Sequence, residues 1–377
     1  MKRIESRVRA VLGNYRRTIF ALESKCIDTK KVLLISSDIS KNELDDIKIR
    51  FNFYCPNCIL EPTSINKGIL SRNPILTFGN PSPIHLWLRY FRAAIFDIDY
   101  RFNPYDSYEW VNLASLSSKL VLDREKTKET FVKYINKLKK LDLQKSYAFG
   151  TGPSLEKAIE RDWSDGYRLV CNTIVRDPIL WNYIDPHFIV AADPIYHFGH
   201  TSFARAFRID LAKRMQETET FFLYPDIFQI IVEREFGDYL DRCIPIPMGA
   251  CQEICRDLTI NFEYNPIANI LPLLLLPLAC TLSQDIYLWG FDGRAPDDKL
   301  FWSNSQKHNY PELMPDLQKS HPAIFNMWDF DRDPYYYVKT VHGDLLDKQL
   351  STAEEKGFSF HMMHKSWTQT LQKRFHD

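Results

Sequence analysis

Gly150-Thr151-Gly152-Pro153-Ser154-Leu155 follows the short apolar run Ser146-Tyr147-Ala148-Phe149, an order of strand, glycine turn and helix start that can hold an anion. Two glycines there permit backbone angles and close approaches that a side chain would forbid. Ser154 and Glu156-Lys157 then open a helical segment, whose unpaired N–H groups and positive dipole end would face a phosphate lying over the loop. The next apolar run, Tyr167-Arg168-Leu169-Val170-Cys171, ends in Asn172, at the strand edge where open α/β sheets bind ligands. A nucleotide across the two strand ends is one reading. A tight strand-to-helix turn is the other, because the loop has neither the full dinucleotide fingerprint nor a phosphate-loop Gly-Lys-Ser.

Other residues of suitable type stand at strand and helix ends. Asp292 closes Ile286-Tyr287-Leu288-Trp289-Gly290-Phe291 and would either bind a ribose or acceptor or cap the following turn. Asp193 ends Phe188-Ile189-Val190-Ala191-Ala192 near His197 and His200; this is too thin a ligand set for a metal, and contact with a donor or acceptor sugar is preferred. Asn265 and Asn269 lie at the amino end of a buried segment, Pro266 to Cys280, which would point to the same edge. His342, before Gly343-Asp344, is either a proton acceptor or a helix cap. Cys55-x-x-Cys58 and the pair Cys251/Cys255 could in principle share a zinc ion, but their separation is unlike that of a ribbon or finger.

The elements that must position these residues alternate. Strands are expected at Lys31–Ser37, Ile75–Asn80 and Ala93–Ile98, with helices at Glu43–Phe51 and His85–Arg92, giving a small α/β domain over residues 1–120. A charged helix, Arg124–Leu143, reads as the connector over 121–144. Residues 145–377 then carry strands at Tyr147–Phe149, Tyr167–Cys171, Phe188–Ala192, Thr220–Tyr224, Ile286–Trp289 and Phe358–Met362, the pattern of a Rossmann-like, mostly parallel sheet. Residues 294–332, with Trp302, His308, Tyr310 and His321 among prolines, read as a lid.

Composition narrows the classes. The chain's 377 residues suffice for two domains, and 45% hydrophobic with 25% charged residues is a globular balance. Lys and Arg number 48, as do Asp and Glu, so bulk attraction to nucleic acid is not supported. Eight cysteines form no dense framework and no secretory signal opens the chain, which points to a reducing cytoplasm. The longest apolar stretch, Ile267–Leu282, is broken by Pro272 and Pro277 and falls short of the roughly 20 residues of a spanning helix. Met1–Lys25 is basic and amphipathic, either a helix on an anionic membrane surface or an ordinary solvated one.

In this order, Gly150-Thr-Gly-Pro-Ser-Leu155, Cys171-Asn172, Ile286-Tyr-Leu-Trp-Gly-Phe-Asp292, His342 with Asp347, and Ser366 resemble the bacterial sialyltransferases of glycosyltransferase family 42 over residues 146–366. The resemblance implies a Rossmann-like, GT-A-like domain with a lid, using CMP-sialic acid or a related CMP-nonulosonate, no cofactor and no obligatory metal. It implies that Gly150, Thr151, Gly152, Pro153, Ser154, Asn172, Asn269 and Asp292 contact the nucleotide, and that His342 deprotonates the acceptor hydroxyl. Arg294, Lys299 or Tyr310 would stabilise the leaving phosphate, Arg294 first because its charge is permanent, and Asp193 and Trp302 would meet the sugars. The implied acceptor is a glycan of lipo-oligosaccharide, O-antigen or capsule type, made in the cytoplasm or on the inner membrane. Thr151 stands where the family has Asn, Asn269-Ile270-Leu271 where it has Thr-Ser-Gly, and Arg294 where it has Tyr, which leaves the sugar and acceptor open. The glycine loop and Ile189-Val-Ala-Ala-Asp-Pro194 also resemble glycosyltransferase-like domains related to motility-associated factors, which would change the donor. A non-catalytic nucleotide-sugar-binding or assembly module is the reading from a different class.

Overall fold

Strands covered on both faces read as unbroken apolar runs; Val32–Ile35, Tyr147–Phe149 and Phe188–Val190 are such runs, and all are buried. The computed structural model describes residues 30–37, 39–71, 73–79, 94–118, 122–250, 253–295, 305–327 and 339–376. These divide into two units near Leu122, with Ser320–Ile324 returning to the first. The basic amphipathic segment Met1–Lys25, the helix expected over His85–Arg92, Cys251, Lys299 and Trp302 lie outside the described residues.

In the smaller unit β1 (Lys31–Ser36), β2 (Ile59–Pro62), β3 (Ile75–Phe78) and β4 (Ile95–Asp97) form a parallel sheet in the order β2-β1-β3-β4. Helix Lys41–Tyr54 starts where Ser40 and Glu43 exchange hydrogen bonds, the Ser40 N–H donating to Glu43 Oε2 at 2.8 Å and the Glu43 N–H to Ser40 Oγ at 3.3 Å. Its Tyr54 ring stacks on Trp110 of helix Asp106–Ser117, with ring centroids 5.7 Å apart. Arg50 is 1% exposed and ties this unit together: it donates to Asp46 at 2.7 Å, to Asp106 at 3.4 Å and to the Ser320 carbonyl at 2.7 Å. His321 Nδ1 lies 3.0 Å from the other Asp106 oxygen, so the returning segment is held by the same carboxylate.

The larger unit contains β5 (Lys145–Phe149), β6 (Gly166–Cys171), β7 (Phe188–Val190), β8 (Phe221–Pro225), β9 (Cys243–Ile246), β10 (Asp285–Trp289) and β11 (Ser359–Met362). They form one parallel sheet in the order β11-β10-β5-β6-β7-β8-β9. The protein is therefore α/β, with a four-stranded and a seven-stranded parallel sheet, the latter Rossmann-like. Two strands are absent from the sequence reading, β2 and β9. Both are short, carry a proline and lie at a sheet edge, where a missing N–H is tolerated.

Helix Arg124–Lys139, expected as a connector, is instead a core helix of the larger unit: Phe131, Tyr134, Ile135 and Leu138 pack in the same cluster as Phe188 and Ile244. The apolar segment expected from Pro266 forms its helix from Leu271, first as a π turn (Leu271–Leu275) and then as α-helix to Leu282. Pro272 lies in the first turn, where a missing N–H costs least, whereas Pro277 lies just past the π turn inside the continuous helix and removes one bond of its ladder. The described part of the expected lid is ordered, with short helices at Pro311–Leu313, Met314–Ser320 and Pro322–Met327. No helix among the described residues is long and apolar enough to cross a membrane.

Removing one partner of a buried ion pair leaves an uncompensated charge and costs about 3–5 kcal/mol. Asp106→Ala should therefore lower the folding free energy of the smaller unit by about that much, read from the urea dependence of its circular dichroism; a loss within ~0.5 kcal/mol would rule out the Arg50–Asp106 pair as its tie.

Candidate functional site

From β5 the chain steps in one direction through β6, β7, β8 and β9, then returns to lay β10 and β11 on the other flank of β5. Ligands of open parallel sheets bind at such a reversal, outside the carboxyl ends of the strands. Here the reversal falls between β5 and β10, whose last residues, Phe149 and Trp289, are in register. The loop after β5 is Gly150-Thr151-Gly152-Pro153, and the loop after β10 is Gly290-Phe291-Asp292-Gly293.

These two loops interlock. The Gly150 N–H donates to the Trp289 carbonyl at 2.7 Å and the Gly152 N–H to the Gly290 carbonyl at 2.8 Å. A Cβ on Gly150 would lie 2.6 Å from the Gly290 oxygen, and one on Gly152 only 2.0 Å from Asp292 Oδ2. The glycines are thus needed for loop-to-loop approach. The helical segment expected beyond is a 3₁₀ helix, Pro153–Glu160, with Pro153 at its start. Its first exposed donor is already engaged: the Ser154 N–H points at the Asp292 carboxylate, 3.1 and 3.2 Å from its oxygens, and the Ser154 hydroxyl donates to Oδ2 at 2.8 Å. The place expected for a phosphate is held by the protein's own carboxylate. Thr151 contributes its carbonyl, which accepts the Ser305 N–H at 2.8 Å.

A residue that the sequence reading missed completes this cluster. His364, two residues beyond β11, accepts the Gly290 N–H on Nε2 at 2.9 Å and places the same nitrogen 2.8 Å from Ser154 Oγ. Its Nδ1 is 2.8 Å from the Lys365 carbonyl and so carries the proton. With Nε2 occupied by an amide, the Ser154 proton goes to Asp292, so this is not a nucleophile activated by histidine. The signal for His364 was only its position after the last strand. Ser366, by contrast, stood in the family resemblance, and its hydroxyl donates to the Phe291 carbonyl at 2.7 Å.

The same carboxyl edge receives the starts of two helices, because each runs antiparallel to the strand that it precedes. One begins at Leu271, just after Asn269, and the other opens with the π turn Thr340–Asp344, which contains His342. Single π turns inside helices are frequent at functional sites. The structure brings these two residues together: Asn269 Nδ2 lies 3.1 Å from His342 Nδ1, while Asn269 Oδ1 accepts the Leu271 N–H at 3.0 Å. That second bond fixes which end of the carboxamide faces the ring, so His342 Nδ1 is an acceptor and Nε2 holds the proton. Burial lowers the His342 pKa to about 4, so the ring is neutral near pH 7. Residues 366–370 span from one cluster to the other. The Trp367 N–H donates to the Asp292 carbonyl at 2.7 Å, and Thr370 Oγ1 donates to the Gly343 carbonyl at 3.2 Å. The Trp367 side chain is 62% exposed.

Asn172 directly follows β6 and lies in the left-handed region, φ +53°, a conformation that asparagine tolerates better than most residues. It is half-buried at the same edge. Arg294 follows the β10 loop and is half-buried. Tyr310 lies apart from the loop cluster: it is 3% exposed, donates to Asp210 at 2.7 Å, and packs its ring under Arg176. Burial, with the Asp210 hydrogen bond, raises its pKa well above the usual tyrosine range. This geometry makes it an anchor for residues 305–313. Asp193 caps the turn after β7, its Oδ1 accepting the Ile195 and Tyr196 N–H groups at 2.8 and 3.2 Å, and its own N–H donates to His197 Nδ1. Among the described residues, no three His, Cys, Asp or Glu side chains cluster as a metal site. Comparison with protein-family models, curated proteins and solved structures yields no match.

Two outcomes follow. Gly152→Ala must push apart the loops after β5 and β10, and should cost about 1–3 kcal/mol in chemical denaturation, whereas Gly237→Ala, whose Cβ would meet nothing within 4 Å, should not. Burial lowers the pKa values of His187 and His197 to about 3 and that of His342 to about 4. Unfolding restores them to near 6.5, so the unfolded chain binds more protons in that interval. The melting temperature should hold above about pH 7 and fall as pH drops from 6.5 towards 4, with a shallower fall in His197→Asn.

Proposed function

We propose that the chain is a glycosyltransferase that moves a nonulosonic acid from a CMP donor to a hydroxyl of a glycan acceptor. The observation that supports this reading is the topological reversal between β5 and β10, with Asn172, the Asn269–His342 pair and exposed Trp367 at the carboxyl edge of the sheet. Parallel sheets place nucleotides there, and an exposed aromatic ring is a platform for a sugar. A CMP donor has one phosphate where UDP and GDP donors have two. A glycine loop whose amides are bonded internally favours the donor with less phosphate to hold.

In this reading Asn172 binds the nucleotide beside the internally bonded β5 loop, Arg294 stabilises the phosphate as CMP leaves, and Trp367 faces a sugar ring. His342 takes the acceptor proton as the hydroxyl attacks the anomeric carbon from the side opposite CMP, which inverts the configuration. Its Nε2–H tautomer requires Asn269 to release Nδ1, or the ring to exchange its proton, when the acceptor arrives. Asp193 and Tyr310 support the edge through the turns and anchors described above. The reaction needs no metal and takes place in the cytoplasm, on acceptors of lipo-oligosaccharide, O-antigen or capsule type held at the inner membrane.

Ligand-induced stabilisation decides the nucleotide first: CMP should raise the melting temperature more than UDP or GDP, and stabilisation by the diphosphates without CMP would sink the proposal. Asn172→Ala should weaken CMP binding about 3–10-fold, the value of one lost hydrogen bond. His342→Ala should lower kcat about 10²–10⁴-fold while CMP affinity holds. A base with a pKa of about 4 is deprotonated at neutral pH, so transfer should be flat above about pH 5 and decline below it, with EDTA present throughout.

A further inference from the structure

Cys55 and Cys58 take no part in the site above. Cys55 ends helix Lys41–Tyr54, its N–H donating to the Phe51 carbonyl, and Cys58 directly precedes β2. Pro56-Asn57 form the centre of a turn closed by the Cys58 N–H donating to the Cys55 carbonyl at 3.1 Å. Proline presets the first central position of such a turn and asparagine suits the second. A hydrogen-bonded turn keeps the Cα atoms of its end residues within about 7 Å. A disulfide spans about 4.4–6.8 Å between Cα atoms. Bridging these two residues therefore requires side-chain rotation and little backbone movement.

The thiols already interact. Cys58 hydrogen-bonds with Cys55, and Ser117 Oγ lies 3.3 Å from Cys55 Sγ. Cys55 is 2% exposed, while Cys58 is half-buried and reachable from solvent. We infer that Cys55 and Cys58 are a reversible dithiol–disulfide pair, with Cys58 attacking a small-molecule disulfide and Cys55 resolving the product.

The chemistry divides between the two positions. The hydrogen bond from Cys55 lowers the Cys58 pKa to about 7, whereas that same bond and burial hold the Cys55 thiol well above the usual range. Cys58 thiolate attacks one sulfur of a disulfide RSSR, forming Cys58–S–SR and releasing RS⁻. Cys55 then gives up its proton, which the released RS⁻ takes, and attacks Cys58 Sγ to expel the second RS⁻. The second RS⁻ is protonated from water, replacing the proton that Cys58 had already lost. Two electrons pass from the pair to RSSR, which becomes two RSH. The other described cysteines are unsuited: Cys171, Cys243, Cys255 and Cys280 are all buried. Burial raises the Cys243 pKa to about 12 and those of Cys171 and Cys280 further.

The test treats the folded full-length protein with glutathione disulfide and maps the tryptic peptide Phe51–Lys67, which holds both residues. The wild-type peptide should lose about two mass units, reversibly with dithiothreitol. Cys55→Ser should instead retain one glutathione on Cys58, and Cys58→Ser should react at least about tenfold more slowly at pH 7. The wild-type rate should rise with pH through an inflection near 7. Glutathione accumulating on wild-type Cys58 without closure would overturn the pair, as would an unmodified peptide at pH 8. Equal modification of buried Cys171 and Cys280 would assign the reactivity to unfolding and overturn it too.

Discussion

The approach of the loop after β5 to the loop after β10 is the constraint on which the candidate site depends. Two amide-to-carbonyl bonds and the Ser154–Asp292 contact close the seam between the first strand of the larger sheet and the strand added on its other flank. Only glycine lets the backbones come this near, and Gly290, at φ +80°, also needs the left-handed region. His364 locks the seam from the third strand, β11, so the last part of the chain is bonded to a loop made from its middle. The Asp292 carboxylate takes the Ser154 N–H, one of the donors that the start of this helix would otherwise leave open.

Much of this architecture was legible because parallel strands buried on both faces write themselves as apolar runs. β5, β6, β7, β8 and β10 fall where those runs fall. β2 and β9 did not read as strands, since Pro62 and Pro245 interrupt short segments that only an edge can accept. Helix Arg124–Lys139 carries so many charges that its narrow apolar face looked like a connector's. Side-chain partners were less legible than elements. The sequence placed Asn269 and His342 at one edge, and they do meet, but no pattern of spacing links residues 73 positions apart in the chain. Tyr310 was of the right type for chemistry, yet Asp210 and Arg176 claim it for packing.

The smaller unit is organised by a different means, a buried cation. Arg50 reaches two carboxylates and a backbone carbonyl, and burial of all five guanidinium donors demands such a set. Through Ser320 and His321 it also fixes a short stretch of chain far along the sequence. The unit is therefore completed by residues that no local reading of its own segment contains.

The two π turns carry a further implication. A π turn holds one more residue than an α turn, so each is an insertion absorbed within a helix. Deleting one residue from Leu271–Leu275 would restore a continuous α-helix and leave the Leu276–Leu282 face packed as before. Because the π turn takes up its extra residue locally, the chain ahead of the deletion would keep nearly its orientation about the helix axis. Asn269 would stay on the side that faces His342. A deletion within the regular turns of Leu276–Leu282 would instead rotate everything ahead of it by about 100°, so the two neighbouring stretches differ sharply in how they bear a change of chain length.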